Sequence, residues 1–564
     1  MQKNTTTYDV IIIGAGATGA GTARDCAKRG LKTLLVERLD FTAGATGRNH
    51  GLLHSGARYA VTDQESATEC IRENMTLRRI ARHCVEETGG LFVTLPEDSL
   101  EYQKNFVEAC HKAGINAEEI DPKEAIALEP AVNHEIIGAV KVPDGAVDPF
   151  RLTTANVVDA RKHGADVITY HAVTDLVMDG NRVCGVVLRD HYTGEETRYE
   201  SRIVVNACGI WSQGIAAKAG IRINMFPAKG ALLIFGHRVN NVVINRCRKP
   251  ADADILVPGD TISLIGTTSS RVPIDTVDNM DVTEEEVDIL LREGIKIAPA
   301  LAYTRILRAY AGVRPLIASD DDPSGRSISR GIVCMDHALR DGVEGIITIS
   351  GGKLMTYRLM AEWATDMVCK KLGHDGGPCT TATDPLPGSE TSTGEERRIS
   401  SKKHIIELST EQKAQEGRHG TLSAEISTDS GDDALVCECE QVSVAEVKFA
   451  VNHLHVNNLM NLRRRTRIGM GTCQGGLCAC RAASILGGES GNSQMALCDL
   501  STFINERWKG MMPVAWGQTL VEAQFMSWIY EGLCGINQID CSEETLSRLS
   551  KGADKETNKQ DEQK

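Results

Sequence analysis

The sequence predicts an α/β protein with a Rossmann-type dinucleotide-binding domain, an antiparallel-sheet substrate domain and a small C-terminal cysteine-rich domain. Three observations support this prediction. An apolar strand pattern followed by three spaced glycines opens the chain, an alternating run with two turn signals surrounds residue 180, and closely spaced cysteines follow residue 435. The 564 residues are enough for two or three domains.

Composition narrows the class of function. The formal net charge of −14 argues against nucleic-acid binding, which needs a basic surface. The chain has no apolar run long enough to span a membrane, and its first ten residues, MQKNTTTYDV, lack the apolar core of a secretory signal. We therefore expect a cytoplasmic protein whose 18 cysteines are reduced thiols or metal ligands.

Changes in composition divide the chain. We expect residues 1–372 to form the dinucleotide-binding and substrate domains, interleaved in sequence. Residues 373–434 are predicted to be a polar linker, with one helix from about Glu395 to Gln415. Residues 435–549 would form the cysteine domain with a helical extension, and residues 550–564 a disordered tail.

The dinucleotide-binding segment begins with an apolar strand at residues 8–13, followed by Gly14, Gly16 and Gly19 in G-A-G-A-T-G. The first glycine permits a tight turn, the second lets a pyrophosphate approach the backbone, and the third lets helix and strand pack closely. Glu37 ends the second strand, where its carboxylate can accept hydrogen bonds from a ribose diol and would repel a 2′-phosphate. This order of elements predicts an adenine dinucleotide other than NADP.

Two later segments favour FAD over NAD. The run from His171 to about Gly209 is predicted to be a three-stranded meander and then a strand ending at Asn206, a pattern typical of two-dinucleotide flavoprotein folds. In this run Val173 and Gly209 are either cofactor contacts or core. The segment GIITISGGKLMTYRLM predicts a strand, a glycine pair and a helix beginning near Thr356. The N-terminus of that helix would stabilise negative charge on a flavin ring.

The motifs GATGRNHGLLHSGARYA, AYAGVRPL and ISGGKLMTYR resemble those of the FAD-dependent glycerol-3-phosphate dehydrogenases, a family with a D-amino-acid-oxidase-type fold. Together with the cysteine domain, they resemble the catalytic A subunits of the anaerobic three-subunit dehydrogenases. The resemblance implies oxidation of sn-glycerol 3-phosphate to dihydroxyacetone phosphate. The electrons would pass through partner subunits toward membrane quinone in anaerobic respiration.

The resemblance also assigns residues. It implies that the substrate meets Arg58, Tyr59, Arg314 of the V-R-P turn, Lys353 and Arg358. Further cofactor contacts are expected in the loops that carry these motifs, at Arg38, Thr46, Gly352, Lys353 and Thr356. Where better-known membrane-bound members have a serine-rich loop, this sequence has Thr46, Gly47, Arg48 and Asn49.

The chemistry of a phosphorylated alcohol suits these residues. A phosphomonoester dianion needs several positive groups, and Arg58, Arg314 and Lys353 can supply them. A surface or interdomain salt bridge is the alternative role for each arginine. His54 is the first candidate for the base that removes the hydroxyl proton, and the alternative is a packed or flavin-positioning histidine. Lys353 could instead stabilise the alkoxide, so the predicted catalytic residues are His54, Arg314 and Lys353.

The cysteine domain carries Cys437 and Cys439 as C-x-C and, after 33 residues, Cys473 and Cys478 as C-x4-C. Four thiolates in two pairs suit an iron–sulfur cluster or zinc. The spacing resembles bacterioferritin-associated ferredoxin-like domains, which implies a [2Fe-2S] cluster. We leave Cys480 out of the ligand set and expect the remaining cysteines to be buried small apolar residues.

The resemblance implies partners and leaves alternatives open. A membrane-anchoring iron–sulfur subunit, together with a second flavoprotein or electron-transfer subunit, would hold the chain at the inner face of the membrane. Whether FMN binds at a partner interface is left open. An amino-acid or opine dehydrogenase of the same fold is the alternative enzyme, and a noncatalytic flavoprotein scaffold is the alternative of another class.

Overall fold

The computed structural model describes residues 7–317, 331–390, 410–426 and 431–550. Two large sheets, two small ones and a C-terminal group of helices make up these residues. The first twelve strands are β1 (Thr7–Ile13), β2 (Thr33–Val36), β3 (Leu52–Leu53), β4 (Val85–Glu86), β5 (Gly90–Thr94), β6 (Glu118–Ile120), β7 (Gly138–Val142), β8 (Gly145–Val147), β9 (Asp166–Ile168), β10 (His171–Asp179), β11 (Arg182–Asp190) and β12 (Glu196–Asn206). The others are β13 (Met225–Phe235), β14 (Val243–Arg246), β15 (Ile255–Gly259), β16 (Ile262–Gly266), β17 (Ser270–Arg271), β18 (Ile306–Ile317), β19 (Ile332–Asp336), β20 (Ile346–Gly351), β21 (Leu435–Cys437) and β22 (Val442–Ser443).

The helices of the first two domains lie between these strands. They are α1 (Ala17–Lys28), α2 (Gln64–Ile80), α3 (Leu100–Lys112), α4 (Pro122–Leu128), α5 (Pro149–Lys162), α6 (Ser212–Ala217), α7 (Glu284–Ile297), α8 (His337–Asp341) and α9 (Tyr357–Leu372). The later helices are α10 (Thr410–His419), α11 (Val444–His453), α12 (Leu459–Thr466), α13 (Ala479–Ser490), α14 (Ser493–Met511) and α15 (Gly517–Ser527). Among the described residues, no helix is both long enough and apolar enough to cross a bilayer.

The dinucleotide-binding domain is built on a parallel sheet with the strand order β9-β2-β1-β12-β20. Strand β1 shows why this sheet is buried on both faces. Val10 and Ile12 pack into the core that includes α1, whereas Ile11 and Ile13 pack into the core on the opposite face. This architecture confirms the predicted Rossmann-type domain.

The predicted meander is also present, with one difference in its third strand. Strands β10, β11 and β12 pair in antiparallel fashion, with glycines of positive φ in both turns. The second half of β12 continues into the parallel sheet beside β1, up to Asn206. One continuous strand therefore replaces the two that the sequence predicted.

The substrate domain is a nine-stranded sheet whose neighbours are antiparallel except for β14 and β5, which run parallel. Its longest pairing joins β13 to β18, from Met225↔Ile317 to Phe235↔Ile306. One face packs against α7, which begins with a capping box between Thr283 and Glu286. The predicted antiparallel substrate domain is therefore confirmed, with one parallel pair added.

The helices from α11 to α15 pack around one apolar core that also holds the hairpin of β21 and β22. Cys498 and Cys541 form a disulfide across this domain. The expectation that all thiols are reduced or metal-bound is therefore wrong for this pair. Their Cα atoms are 5.5 Å apart, a separation that suits a disulfide and that spacing in the sequence does not reveal.

The stretch predicted as a polar linker contains packed segments where the structure describes it. The backbone N–H of Leu386 donates to the carbonyl of Ile80, and the Arg24 guanidinium donates to the carbonyl of Asp384. Arg418 of α10 forms a buried ion pair with Glu446 of α11. The helix predicted from about Glu395 starts outside the described residues, as does nearly all of the predicted tail. The domain boundaries remain a prediction.

The cysteine domain is joined to the dinucleotide-binding domain through the buried carboxylate of Asp40. This carboxylate pairs with Arg465 at 2.6 Å and with Arg464 at 2.8 Å. Burial raises the pKa of Asp40, but the two guanidiniums outweigh it and lower the pKa to about 2. Beside this pair the Tyr170 hydroxyl accepts hydrogen bonds from Asn458 and Asn461.

We predict that Asp40→Asn lowers the free energy of unfolding by roughly 3 kcal/mol at pH 7, because two largely buried guanidiniums lose their counter-ion. Urea denaturation followed by tryptophan fluorescence measures the change. Since the folded pKa is below the ordinary 3.8, the difference between parent and variant should be complete above pH 4 and shrink as the pH falls toward 2. Glu196→Gln, which breaks an exposed pair with Arg189, is the matched control and should leave the transition unchanged. Equal stability of Asp40→Asn and parent at pH 7 would contradict the prediction.

Candidate functional site

The loop between β1 and α1 leaves space for a bound phosphate group. Gly14 has a φ of +100°, and a Cβ on it would lie 2.8 Å from the carbonyl oxygen of Ala207. A Cβ on Gly19 would lie 1.8 Å from the carbonyl oxygen of Gly14. Both positions therefore require glycine. Gly16 is the N-cap of α1 and has no side chain to occupy the helix N-terminus.

Glu37 follows β2, and its carboxylate lies against the glycine loop. It accepts the backbone N–H of Ala15 at 2.8 Å and that of Leu39 at 3.0 Å. Burial raises its pKa, and the two backbone hydrogen bonds oppose that effect. The carboxylate is thus held in the place from which we predict that it binds a ribose diol.

Thr46 and Arg38 also lie on loops near this site. The Thr46 hydroxyl accepts the N–H of Ala17, the first residue of α1, at 3.1 Å. Arg38 lies over the Trp211 ring, 4.4 Å from its centroid, and pairs with Asp278. Thr46 is therefore at the helix N-terminus, while the Arg38 guanidinium is already engaged by protein groups.

The other predicted cofactor residues lie on three separate elements. Val173 is half-buried on β10, and Gly209 begins a short helical turn after β12 with a φ of +56°. A Cβ on Gly352, which follows β20, would lie 2.5 Å from the sulfur of Met360. The Thr356 hydroxyl accepts the N–H of Lys353 at 2.9 Å. These contacts shape the turn from β20 into α9.

Lys353, Tyr59 and His54 come together although they are distant in sequence. The Lys353 Nζ lies 4.6 Å from the centroid of the Tyr59 ring. That ring stacks on His54, with centroids 5.0 Å apart. An ammonium over an aromatic face is stabilised by a cation–π interaction, so the ring positions the lysine. The structure therefore joins a cation and an imidazole at one place.

Arg58 is next to this group and is held by a carboxylate. Its Nη2 lies 2.8 Å from Asp254, which also pairs with Arg248. Burial raises the pKa of Asp254, but the two guanidiniums outweigh it and lower the pKa. The Nη1 of Arg58 is buried without an acceptor among the described residues. One end of the guanidinium is thus fixed while the other can still donate.

Arg314 is half-buried on β18 of the substrate sheet, opposite Ala228 of β13. Its guanidinium donates to the carbonyls of Lys229 at 3.3 Å and Thr268 at 3.2 Å, and to the Thr267 hydroxyl. The hydrogen bonds to these backbone carbonyls fix the direction of the guanidinium. Arg314 is thus a rigidly placed cation on this sheet.

The position of Arg358 argues against the predicted contact with substrate. Its Nε and Nη2 each donate to Glu73 at 2.7 Å, and its Nη1 donates to Glu362 at 2.7 Å. The guanidinium is buried and its charge is balanced by these carboxylates. We therefore correct the assignment and give Arg358 a structural role that ties α9 to α2.

Asp144 is a residue of the site that the sequence analysis missed. Its buried carboxylate accepts the backbone N–H of Ser55 at 2.7 Å and the Asn245 amide at 3.2 Å. Burial raises its pKa, and the hydrogen bonds oppose that effect. Asp144 thereby anchors the loop that carries His54 and Tyr59. A lone acid between an apolar strand and a glycine, in V-P-D-G, was the available signal.

The four predicted metal ligands lie together. Cys437 and Cys478, Cys478 and Cys473, and Cys473 and Cys439 lie close enough for each thiol to shift the pKa of its neighbour. The two neighbouring thiols lower the pKa of Cys473. In the part of the chain that the structure describes, no group of three or more His, Cys, Asp or Glu side chains has an arrangement that could hold one metal ion. A chain of four adjacent thiols still fits a centre with two iron ions and four thiolate ligands.

Cys480 is placed apart from this set. Its thiol lies beside Cys534 and the Tyr530 hydroxyl, and burial raises its pKa. The Tyr530 hydroxyl in turn donates to the carbonyls of Gly475 and Gly476 in the cysteine loop. This position supports leaving Cys480 out of the ligand set.

Family models match both parts of the chain. A model described as FAD dependent oxidoreductase matches residues 9–358, and a model described as BFD-like [2Fe-2S] binding domain matches residues 435–487. The glycine loop between β1 and α1, the Glu37 carboxylate and the turn into α9 fit FAD. The four adjacent thiols fit a [2Fe-2S] cluster. The second match favours iron–sulfur over zinc.

Individual proteins are similar over nearly the whole chain. The A subunit of the anaerobic glycerol-3-phosphate dehydrogenase of Escherichia coli K12 is 62% identical over 95% of this chain and 98% of its own length. The A1 subunit of Haloferax volcanii is 43% identical over 91% of this chain and 88% of its own. The FAD-complexed glycerol-3-phosphate dehydrogenase of Bacillus halodurans shares the fold, with a TM-score of 0.67, 22% identity and coverage of 90% and 95%. L-proline dehydrogenase of P. horikoshii also shares it, with a TM-score of 0.52, 22% identity and coverage of 65% and 94%.

We predict that Cys478→Ser abolishes the cluster while Cys480→Ser retains it. A serine hydroxyl is a harder and much less acidic ligand than a thiolate, so the first variant loses one of four bonds to iron. Iron and acid-labile sulfide counts, with visible absorption of anaerobically purified protein, measure the result. Full iron content in Cys478→Ser, or its loss in Cys480→Ser, would contradict the ligand set.

Proposed function

Because the chain belongs to the FAD-dependent oxidoreductase family, and within it to the anaerobic glycerol-3-phosphate dehydrogenase A subunits, we propose that it oxidises sn-glycerol 3-phosphate to dihydroxyacetone phosphate by hydride transfer to FAD. The observation that carries this proposal is the similarity to the Escherichia coli relative, which extends over 95% of the chain. The fold by itself does not choose the substrate, since L-proline dehydrogenase shares it.

The basic residues of the site suit a phosphorylated substrate. Arg314 presents a guanidinium fixed by the backbone carbonyls of Lys229 and Thr268, and Lys353 presents an ammonium held over Tyr59. In this proposal Arg314 and Lys353 bind the phosphate dianion and the Nη1 of Arg58 adds a donor. An amine substrate carrying a carboxylate would need fewer positive groups.

His54 is the proposed base for the C2 hydroxyl proton. Its ring stacks on Tyr59, and the next residue, Ser55, is tied to buried Asp144. A ring that is already held in place is positioned before the substrate arrives. Lys353, whose ammonium is held over the Tyr59 ring, would stabilise the alkoxide as the proton leaves.

The cysteine domain implies a route for electrons beyond the flavin. Cys437, Cys439, Cys473 and Cys478 would hold a [2Fe-2S] cluster, and such a cluster would supply one-electron transfer that suits a relay to another protein. The relatives are named as subunits of an enzyme, which supports a complex. We propose a second electron-transfer flavoprotein subunit, with FMN at their interface, and an iron–sulfur subunit that anchors the chain to the inner face of the membrane and leads to quinone.

We predict that anaerobic addition of glycerol 3-phosphate bleaches the flavin absorption of the holoprotein, because the bound substrate reduces the ring. Proline and an opine are the comparison substrates, and they should leave the spectrum unchanged. Bleaching by an amino acid or opine alone would establish the alternative dehydrogenase. An unchanged spectrum with every substrate would favour a noncatalytic scaffold.

We predict that Arg314→Gln lowers kcat/KM for glycerol 3-phosphate on the order of 100-fold, since a lost hydrogen bond from a charged donor costs roughly 3 kcal/mol. Flavin content should stay the same, because Lys229, Thr267 and Thr268, to which Arg314 donates, belong to the substrate domain. Steady-state dye reduction measures kcat/KM, and the ratio of flavin to protein absorbance measures the flavin content. Arg189→Gln, an exposed arginine on β11, is the matched control. An Arg314→Gln enzyme with parental kinetics would remove Arg314 from the site.

A further inference from the structure

A cavity of about 770 Å³ lies between the dinucleotide-binding, substrate and cysteine domains. The loop of residues 42–51 lines one side, the substrate sheet a second, and helices α12 and α14 a third. Arg58, Arg314 and Lys353 do not line it, so it is separate from the proposed substrate site. Its volume is in the range of sites that hold small organic molecules.

The cavity has two chemically different walls. Its apolar lining includes Ile234, Ile262 and Leu264 of the substrate domain and Met460 and Met470 of the cysteine domain. The cationic lining comprises a larger set of basic side chains drawn from all three domains, and these are Arg48, Arg82, Arg151, Arg308, Arg463, Arg464, Arg467 and Lys509. A ligand that fits both walls combines an anionic group with an apolar body.

Three of these guanidiniums, Arg48, Arg308 and Arg463, form no ion pair with any carboxylate in the described ranges of the chain. The Nε atoms of Arg308 and Arg463 are buried and meet no acceptor in those ranges. By contrast, Arg464 pairs with Asp40, and Arg467 pairs with Glu440. Carboxylates also line the cavity, namely Glu86, Asp148, Asp260, Asp278, Asp281, Glu416 and Glu506. Because none of them is within ion-pair distance of Arg48, Arg308 or Arg463, these three guanidiniums lack a direct counter-ion among the described residues.

The electrostatic environment of these side chains agrees with that geometry. Burial lowers the pKa of Arg48 and of Arg308, and it lowers that of Arg463 well below its ordinary value. Repulsion from Arg507 and Arg308 adds to the effect at Arg463. Several like charges without a counter-ion destabilise a protein unless an anion joins them.

The cysteine cluster does not account for this charge. Arg507 lies behind the cysteine loop, where it donates to Gln474 and to the carbonyl of Gly469, and the thiolates favour its charged form. Arg48 and Arg308 belong to the other two domains, and the carboxylate that most favours their charged form is Glu506 of the cavity lining, not a thiolate. Glu506 forms no ion pair with either arginine, so an anion bound in the cavity would give them a direct counter-charge.

We propose that this cavity binds a phosphorylated small molecule, with the phosphate held by Arg48, Arg308 and Arg463 and an apolar body against Ile234, Ile262 and Leu264. Guanidinium forks match phosphate oxygens, which explains the residue type. The site is independent of the identity of the alcohol that is oxidised at Lys353. Its occupant would touch all three domains and strengthen their association.

The test is thermal denaturation of the purified holoprotein in sodium phosphate or phenyl phosphate, against sodium chloride at equal ionic strength. A ligand that binds only the folded state raises its stability, so both probes should raise the midpoint by about 3 °C or more. Phenyl phosphate should give the larger rise because it also contacts the apolar wall. The proposal is overturned if neither probe raises the midpoint above its value in sodium chloride.

The double variant Arg308→Gln/Arg463→Gln should lose the rise in midpoint. Without added anion it should be at least as stable as the parent, since repulsion between the buried guanidiniums is relieved. An undiminished rise in this variant overturns the proposal. Arg314→Gln should keep the full rise, which separates the cavity from the substrate site. Loss of the rise in Arg314→Gln would place the anion at the substrate site and overturn the proposal.

Discussion

The structure depends on one electrostatic constraint, the neutralisation of Asp40 by two arginines of the cysteine domain. Asp40 follows the second strand of the dinucleotide-binding sheet and is buried, so its charge needs a partner. Arg464 and Arg465 supply that partner from α12. Because α12 leads directly into the loop with Cys473, this contact also fixes where the thiols lie relative to the flavin side of the molecule.

The candidate site follows from contacts between distant parts of the chain. The loop with His54 and Tyr59 is anchored by Asp144, and the turn with Lys353 is anchored by Thr356. The lysine and the aromatic ring meet because the turn that follows β20 and the loop that follows β3 lie against each other. The chemistry that we propose therefore uses side chains that are already held in place.

The sequence predicts what is encoded locally and misses what depends on distant partners. The glycine loop, the meander and the four cysteines could be identified because their spacing carries the chemistry. Arg358 was misplaced because its partner Glu73 is 285 residues away and nothing local distinguishes a paired arginine from an unpaired one. The Cys498–Cys541 disulfide, 43 residues apart, and the parallel pairing of β5 with β14 were missed for the same reason.

Strand β12 has a consequence for how this chain can change in evolution. Its first half pairs with the meander and its second half with β1, so both pairings share one continuous backbone. An insertion or deletion of one residue inside it would turn every following side chain to the opposite face and displace the turn at Gly209. Length variation among descendants of this protein should therefore collect in the hairpin loop between β11 and β12, while this strand keeps a constant residue count.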